Sequence, residues 1–73
     1  MKKLSDLKPG ESSVVKNVGC EGALRRRLLD MGITPGTEVH IVKTAPLGDP
    51  LEIKLRGYFL TIRKDDAKMI DVV

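Results

Sequence analysis

A chain of 73 residues, 41% hydrophobic and 32% charged, fits one small folded domain with a thin core, too short for two domains and too apolar to stay disordered. Its net charge of +3, from 13 Lys and Arg against 10 Asp and Glu, is spread along the chain and does not demand an acidic partner. One tyrosine and one phenylalanine are too few for the stacking platforms of single-strand nucleic-acid binders, or for a groove that takes proline-rich peptides.

The start of the chain turns polar at once with Lys2-Lys3, and no apolar run exceeds Tyr58-Phe59-Leu60. Neither a signal peptide nor a membrane span fits, so the expectation is a cytoplasmic protein without direct membrane insertion. The lone Cys20 has no intrachain disulfide partner, which agrees with a reducing compartment.

In chain order, the first punctuation is Lys8-Pro9-Gly10-Glu11, with Pro and Gly spaced for a type II turn. It launches a strand candidate over Ser13–Val18. A helical segment follows, and then Thr34-Pro35-Gly36-Thr37 repeats the turn chemistry and launches a second strand over Thr37–Lys43, in which Val39 and Ile41 face inward together. Ala45-Pro46-Leu47-Gly48-Asp49-Pro50 is a loop of restricted freedom. Leu51–Arg56 alternates apolar and charged residues without a fault, the mark of a strand with one buried face. Gly57 permits a reversal into Tyr58–Arg63, with Tyr58, Leu60 and Ile62 on one face. Lys64–Met69 suits one helical turn, and Ile70–Val73 closes as a fifth strand. The sum is a mainly β domain of residues 1–73, about five strands bent into a small barrel, with one short α-helix inserted between the first and second.

On a wheel of about 100° per residue, Leu24, Leu28 and Met31 of the inserted helix form one apolar stripe. Gly32 stands where a left-handed cap is expected, with Ile33 folding back onto Leu28. Leu29 falls about 140° from Leu24, off that stripe and one turn from Arg25. Surface leucines are common, but an apolar residue beside an arginine there is also a candidate contact. Arg25, Arg26 and Arg27 spread over about 200°, so at most two act on one ligand. Glu21 with Arg25, and Arg26 with Asp30, have the spacing for surface pairs within the helix.

Cys20, Glu21, His40, Asp49 and Glu52 are the only plausible metal ligands, and they are scattered without C-x-x-C or H-x-x-x-H spacing, so no metal site is expected. The single His and single Cys accompany no nucleophile elbow, phosphate loop or base motif. No catalytic residue and no cofactor are assigned; the chain reads as a binder.

Leu4 and Leu7 before Pro9-Gly10, the string from Leu24 to Thr37, the loop Ala45–Pro50 and Arg56-Gly57-Tyr58 together resemble the FeoA family over nearly the whole chain. The resemblance implies an SH3-like barrel and a small cytosolic accessory of bacterial ferrous iron transport. It also implies a partner, the membrane transporter FeoB with its cytoplasmic GTPase domain. A similar barrel closes iron-dependent repressors, but 73 residues leave no room for their other domains, so a free-standing accessory is expected. On this reading Arg25, Leu29 and Arg26 are the candidate partner-binding residues, and one of Arg25, Arg26 or Arg27 is a candidate for an arginine supplied to the GTPase in trans. The alternative is a small nucleic-acid-binding β-barrel, suggested by the basic balance and disfavoured by the scarcity of aromatics.

Overall fold

Six strands and two short helices follow one another through residues 2–73, which the computed structural model describes; Met1 lies outside them. In order they are β1 (Lys2–Lys3), a 3-10 turn (Leu4–Asp6), β2 (Ser12–Val18), α1 (Gly22–Asp30), β3 (Glu38–Thr44), β4 (Leu51–Leu55), β5 (Tyr58–Ile62), α2 (Lys64–Ala67) and β6 (Ile70–Val72). They form one sheet in the order β1-β6-β2-β3-β4-β5. Every neighbouring pair is antiparallel.

The sheet curls because β2 serves two partners. Its first half pairs with β3, from Ser12↔His40 to Val14↔Glu38, and its second half pairs with β6, from Val15↔Val72 to Val18↔Ile70. A bulge between Val15 and Asn17 marks the changeover, and a second between Ile41 and Lys43 bends β3 against β4. Bulges add local twist, which rolls an open sheet toward a barrel.

Inward-facing residues alternate as the strand patterns require. Val15, Val39, Ile41, Ile53, Leu55, Ile70 and Val72 are fully buried, joined from outside the sheet by Leu4, Leu28 and Ile33. Each such side chain contributes about 1.5–3 kcal/mol by leaving water. Both Pro-Gly turns close as expected, Glu11 N–H donating to the Lys8 carbonyl at 2.9 Å and Thr37 N–H to that of Thr34 at 3.0 Å. The loop over residues 45–50 is cinched by Gly48 N–H to the Ala45 carbonyl at 2.7 Å and Ala45 N–H to that of Pro50 at 3.1 Å. Its Asp49–Pro50 peptide is cis.

Two elements were not expected: β1 and the 3-10 turn. A two-residue strand has no pattern of its own; it exists because Lys2 and Lys3 pair with Val72 and Asp71, and because Lys3 Nζ donates to Asp71 Oδ1. The 3-10 turn then buries Leu4 completely. The barrel therefore has six strands instead of about five, and the helix lies between the second and third.

Candidate functional site on the inserted helix

The end of α1 is a Schellman motif: Ile33 N–H donates to the Leu28 carbonyl at 3.1 Å and Gly32 N–H to that of Leu29 at 3.0 Å. Gly32 has φ +98°, a conformation open to glycine and costly to other residues. The tip of the β4–β5 hairpin comes down on this cap. Tyr58 hydroxyl donates to the Met31 carbonyl, and Arg56 Nη2 donates to Thr34 Oγ1 at 3.1 Å and Thr37 Oγ1 at 3.0 Å. The two threonine hydroxyls are themselves 2.8 Å apart. Two stretches quoted for the resemblance, Met31–Thr37 and Arg56-Gly57-Tyr58, are thus the two halves of one clamp. No local pattern announces these contacts, whose partners lie 19 to 27 residues apart in the chain.

The clamp fixes how α1 lies on the barrel. Leu28 is fully buried, while Leu24 and Met31 pack against the core half-buried. Leu29, which the wheel sets off the apolar stripe, is also half-buried against the core. The covered strip of this nine-residue helix thus takes in Leu24, Leu28 and Leu29 and is wider than the wheel suggests.

The three arginines divide. Arg27 Nη2 reaches Asp66 Oδ2 of α2 at 3.2 Å and ties the two helices together. The pairs expected within the helix, Glu21 with Arg25 and Arg26 with Asp30, are not formed. Among the described residues, Arg25 and Arg26 take part in no salt bridge, and both are exposed. With Gly22, Leu29 and Asp30 they line a shallow depression of about 320 Å³ along one flank of α1. The three candidate residues of the sequence reading therefore meet at one place, an apolar side chain between two uncommitted cations.

The scattered metal-ligand candidates stay scattered. Asp49 accepts from the Lys64 backbone N–H at 2.9 Å and lies 3.8 Å from Arg63 Nε, and Glu52 lies 3.7 Å from Lys43 Nζ. His40 is exposed on β3, and Cys20 is half-buried in the link before α1. Among the described residues no three His, Cys, Asp or Glu side chains gather. The carboxyl that stands out electrostatically is Asp71: the hydrogen bond from Lys3 holds it below its ordinary value, helped by the Lys3 charge and by Asn17 and opposed by burial.

A family model described as FeoA domain matches residues 2–73. Among curated proteins, the Fe(2+) transport protein A/Fe(2+) transporter FeoB fusion protein of Porphyromonas gingivalis is 36% identical over 70 residues. That match covers 96% of this chain and 8% of the fusion protein's length. Among solved structures, an FeoA-like protein from Clostridium acetobutylicum is 41% identical with a TM-score of 0.89, covering 100% of this chain and 88% of that one. The FeoA of Stenotrophomonas maltophilia, a structure complexed with zinc and described as a prokaryotic SH3 domain protein, is 31% identical with a TM-score of 0.88, covering 100% of this chain and 91% of that one. The barrel is accordingly SH3-like and mainly β.

Proposed function

The chain belongs to the FeoA family, which is linked to ferrous iron transport, and from that premise we propose that it is a non-enzymatic accessory of ferrous iron uptake that docks on the cytoplasmic part of an FeoB-type transporter. The observation that carries this reading is the fusion protein, in which a domain similar to this chain shares a polypeptide with FeoB. Linking two modules keeps them at a high effective concentration, a benefit only where they work together. Among the described residues no helix is long and apolar enough to cross a membrane, and the action assigned here is contact with a membrane protein from the water side.

The contact is assigned to the flank of α1. Leu29 offers a partly desolvated apolar centre, while Arg25 and Arg26 offer cations not committed to internal pairs. An apolar centre with a charged rim is the usual build of an interface core, and arginine is over-represented among residues that dominate binding. Arg27, tied to Asp66, is left to structure. A sharper form has Arg25 or Arg26 reach the nucleotide of the transporter's GTPase domain and stabilise charge in hydrolysis.

The test is the affinity of the purified cytoplasmic part of the transporter for the wild-type chain and for Arg25→Ala, Arg26→Ala and Leu29→Ala. A loss of about tenfold, or about 1.4 kcal/mol, is expected for Leu29→Ala and for at least one arginine. Unchanged affinity in all three variants refutes the assigned surface. Equal GTP turnover with and without the chain removes the arginine acting in trans.

A further inference from the structure

The inward-facing row of β5 runs out of core at its first residue. Ile62 is buried, Leu60 is half-buried, and Tyr58, on the same side of the strand, is 41% exposed. Over the barrel at that point lies the end of α1. The Tyr58 hydroxyl donates to the Met31 carbonyl there, which fixes the ring without covering it.

Helical spacing puts this ring in line with Arg25 and Leu29. Those two are one turn apart, and Gly32 follows seven residues after Arg25 and three after Leu29, so a side chain at 32 would continue their row past the end of the helix. Gly32 has none. A Cβ there would lie 2.8 Å from the Tyr58 hydroxyl, so the tyrosine, reaching over from the β4–β5 hairpin, takes the place of the missing side chain. Gly32 N–H donates to the Leu29 carbonyl at 3.0 Å, so leucine and ring are held by the same cap. Arg27 turns instead to Asp66 of α2 and stands outside the row.

We propose, on the basis of the docking assigned to α1, that the same surface of the transporter also closes over the exposed ring of Tyr58, making Arg25, Leu29 and Tyr58 one continuous contact row. The contact then spans two elements, the helix and the hairpin that clamps it.

A tyrosine suits this place because its ring can be covered by a partner while its hydroxyl keeps the bond to Met31. That bond already orders the side chain, so little rotational freedom remains to be lost on binding. Tyrosine and arginine are over-represented among residues that dominate interfaces, and the ring adds apolar area to a centre that Leu29, itself half-buried, supplies only in part. The matching patch on the transporter is apolar opposite Leu29 and Tyr58 and carries an acceptor oxygen for Arg25.

Tyr58 is the only tyrosine of the chain, so incorporating fluorotyrosine gives the full chain a single fluorine resonance at the position in question. The purified cytoplasmic part of an FeoB-type transporter is titrated into it, and the resonance is followed with and without a soluble paramagnetic agent. Binding should move the resonance and shield it from the agent. In parallel, Tyr58→Ala should bind about tenfold more weakly than wild type, while Tyr58→Phe, which keeps the ring and loses the bond to Met31, should stay within about twofold. That split separates a contact from a brace, since a tyrosine that only held α1 through its hydroxyl would lose affinity alike in both variants. An unmoved and unshielded resonance at saturation, equal losses in the two variants, or undiminished binding by a folded Tyr58→Ala chain overturns the proposal. If Leu29→Ala still weakens binding in that case, the docking on α1 stands without Tyr58. Absence of binding by the wild-type chain overturns both. If Tyr58→Ala does not fold, the fluorine measurement on the otherwise wild-type chain decides alone.

Discussion

Replacing Gly32 by alanine tests the clamp where its parts meet. Gly32 has φ +98°, and a Cβ there would lie 2.8 Å from the Tyr58 hydroxyl and 3.3 Å from Leu55 Cδ1. An alanine backbone in the left-handed region costs about 1–2 kcal/mol. Tyr58 can swing aside, but only by giving up its bond to the Met31 carbonyl, worth about 1 kcal/mol, and Leu55 must also yield. The sum is about 2–4 kcal/mol, a large part of the roughly 4–11 kcal/mol expected of a 73-residue domain. At 4–8 °C per kcal/mol for a domain this size, the midpoint of thermal unfolding should fall by roughly 10–30 °C. Gly36 is the control: its φ is +92°, yet a Cβ there meets nothing within 4 Å, so Gly36→Ala incurs the backbone cost alone. Circular dichroism melts of both variants isolate the crowding as a difference of about 1–2 kcal/mol. In a Tyr58→Phe background, where the hydrogen bond is already gone, the Gly32→Ala effect should shrink by about 1 kcal/mol. If Gly32→Ala costs no more than Gly36→Ala, the hairpin does not clamp the cap.

Leu28→Ala should destabilise by about 2–5 kcal/mol in urea titration, since the side chain is fully enclosed between α1 and the barrel. Arg27→Ala should cost under about 1 kcal/mol in the same assay, because the Arg27 side chain of the pair with Asp66 is largely exposed. Asp71 is held below its ordinary value of 3.8, so its contribution is full above that pH and is lost as pH falls through the lower folded value. The urea midpoint of wild type should therefore drop in that acid range, and Asp71→Asn should flatten the drop. A gel shift at low salt should show no complex with single- or double-stranded nucleic acid, whose binders rely on basic tracks and stacking rings that two aromatics do not supply.

What was legible in the sequence had a local cause. Proline and glycine at adjacent turn positions announced both type II turns, unbroken alternation announced β4, and the Leu28-to-Gly32 spacing announced the helix and its cap. What was not legible had a distant one. β1 depends on Asp71, Arg27 turns to Asp66 39 residues away, and Tyr58 and Arg56 reach back to α1 and the turn after it. The helical wheel misplaced Leu29 for the same reason: the wheel knows the helix, and burial depends on the breadth of the surface beneath it. Arg25, Arg26 and Leu29 nonetheless line one flank, because helical spacing alone places them together whatever the barrel covers.

Docking on the transporter through α1 is tested most directly by one binding isotherm, measured between the purified cytoplasmic part of an FeoB-type transporter and this chain, wild type against Leu29→Glu. Circular dichroism must first show that the variant is folded. A charge placed between Arg25 and Arg26, in the apolar centre of the contact, should abolish binding that the wild-type chain shows. Equal binding by the folded variant, or no binding by wild type, contradicts the account.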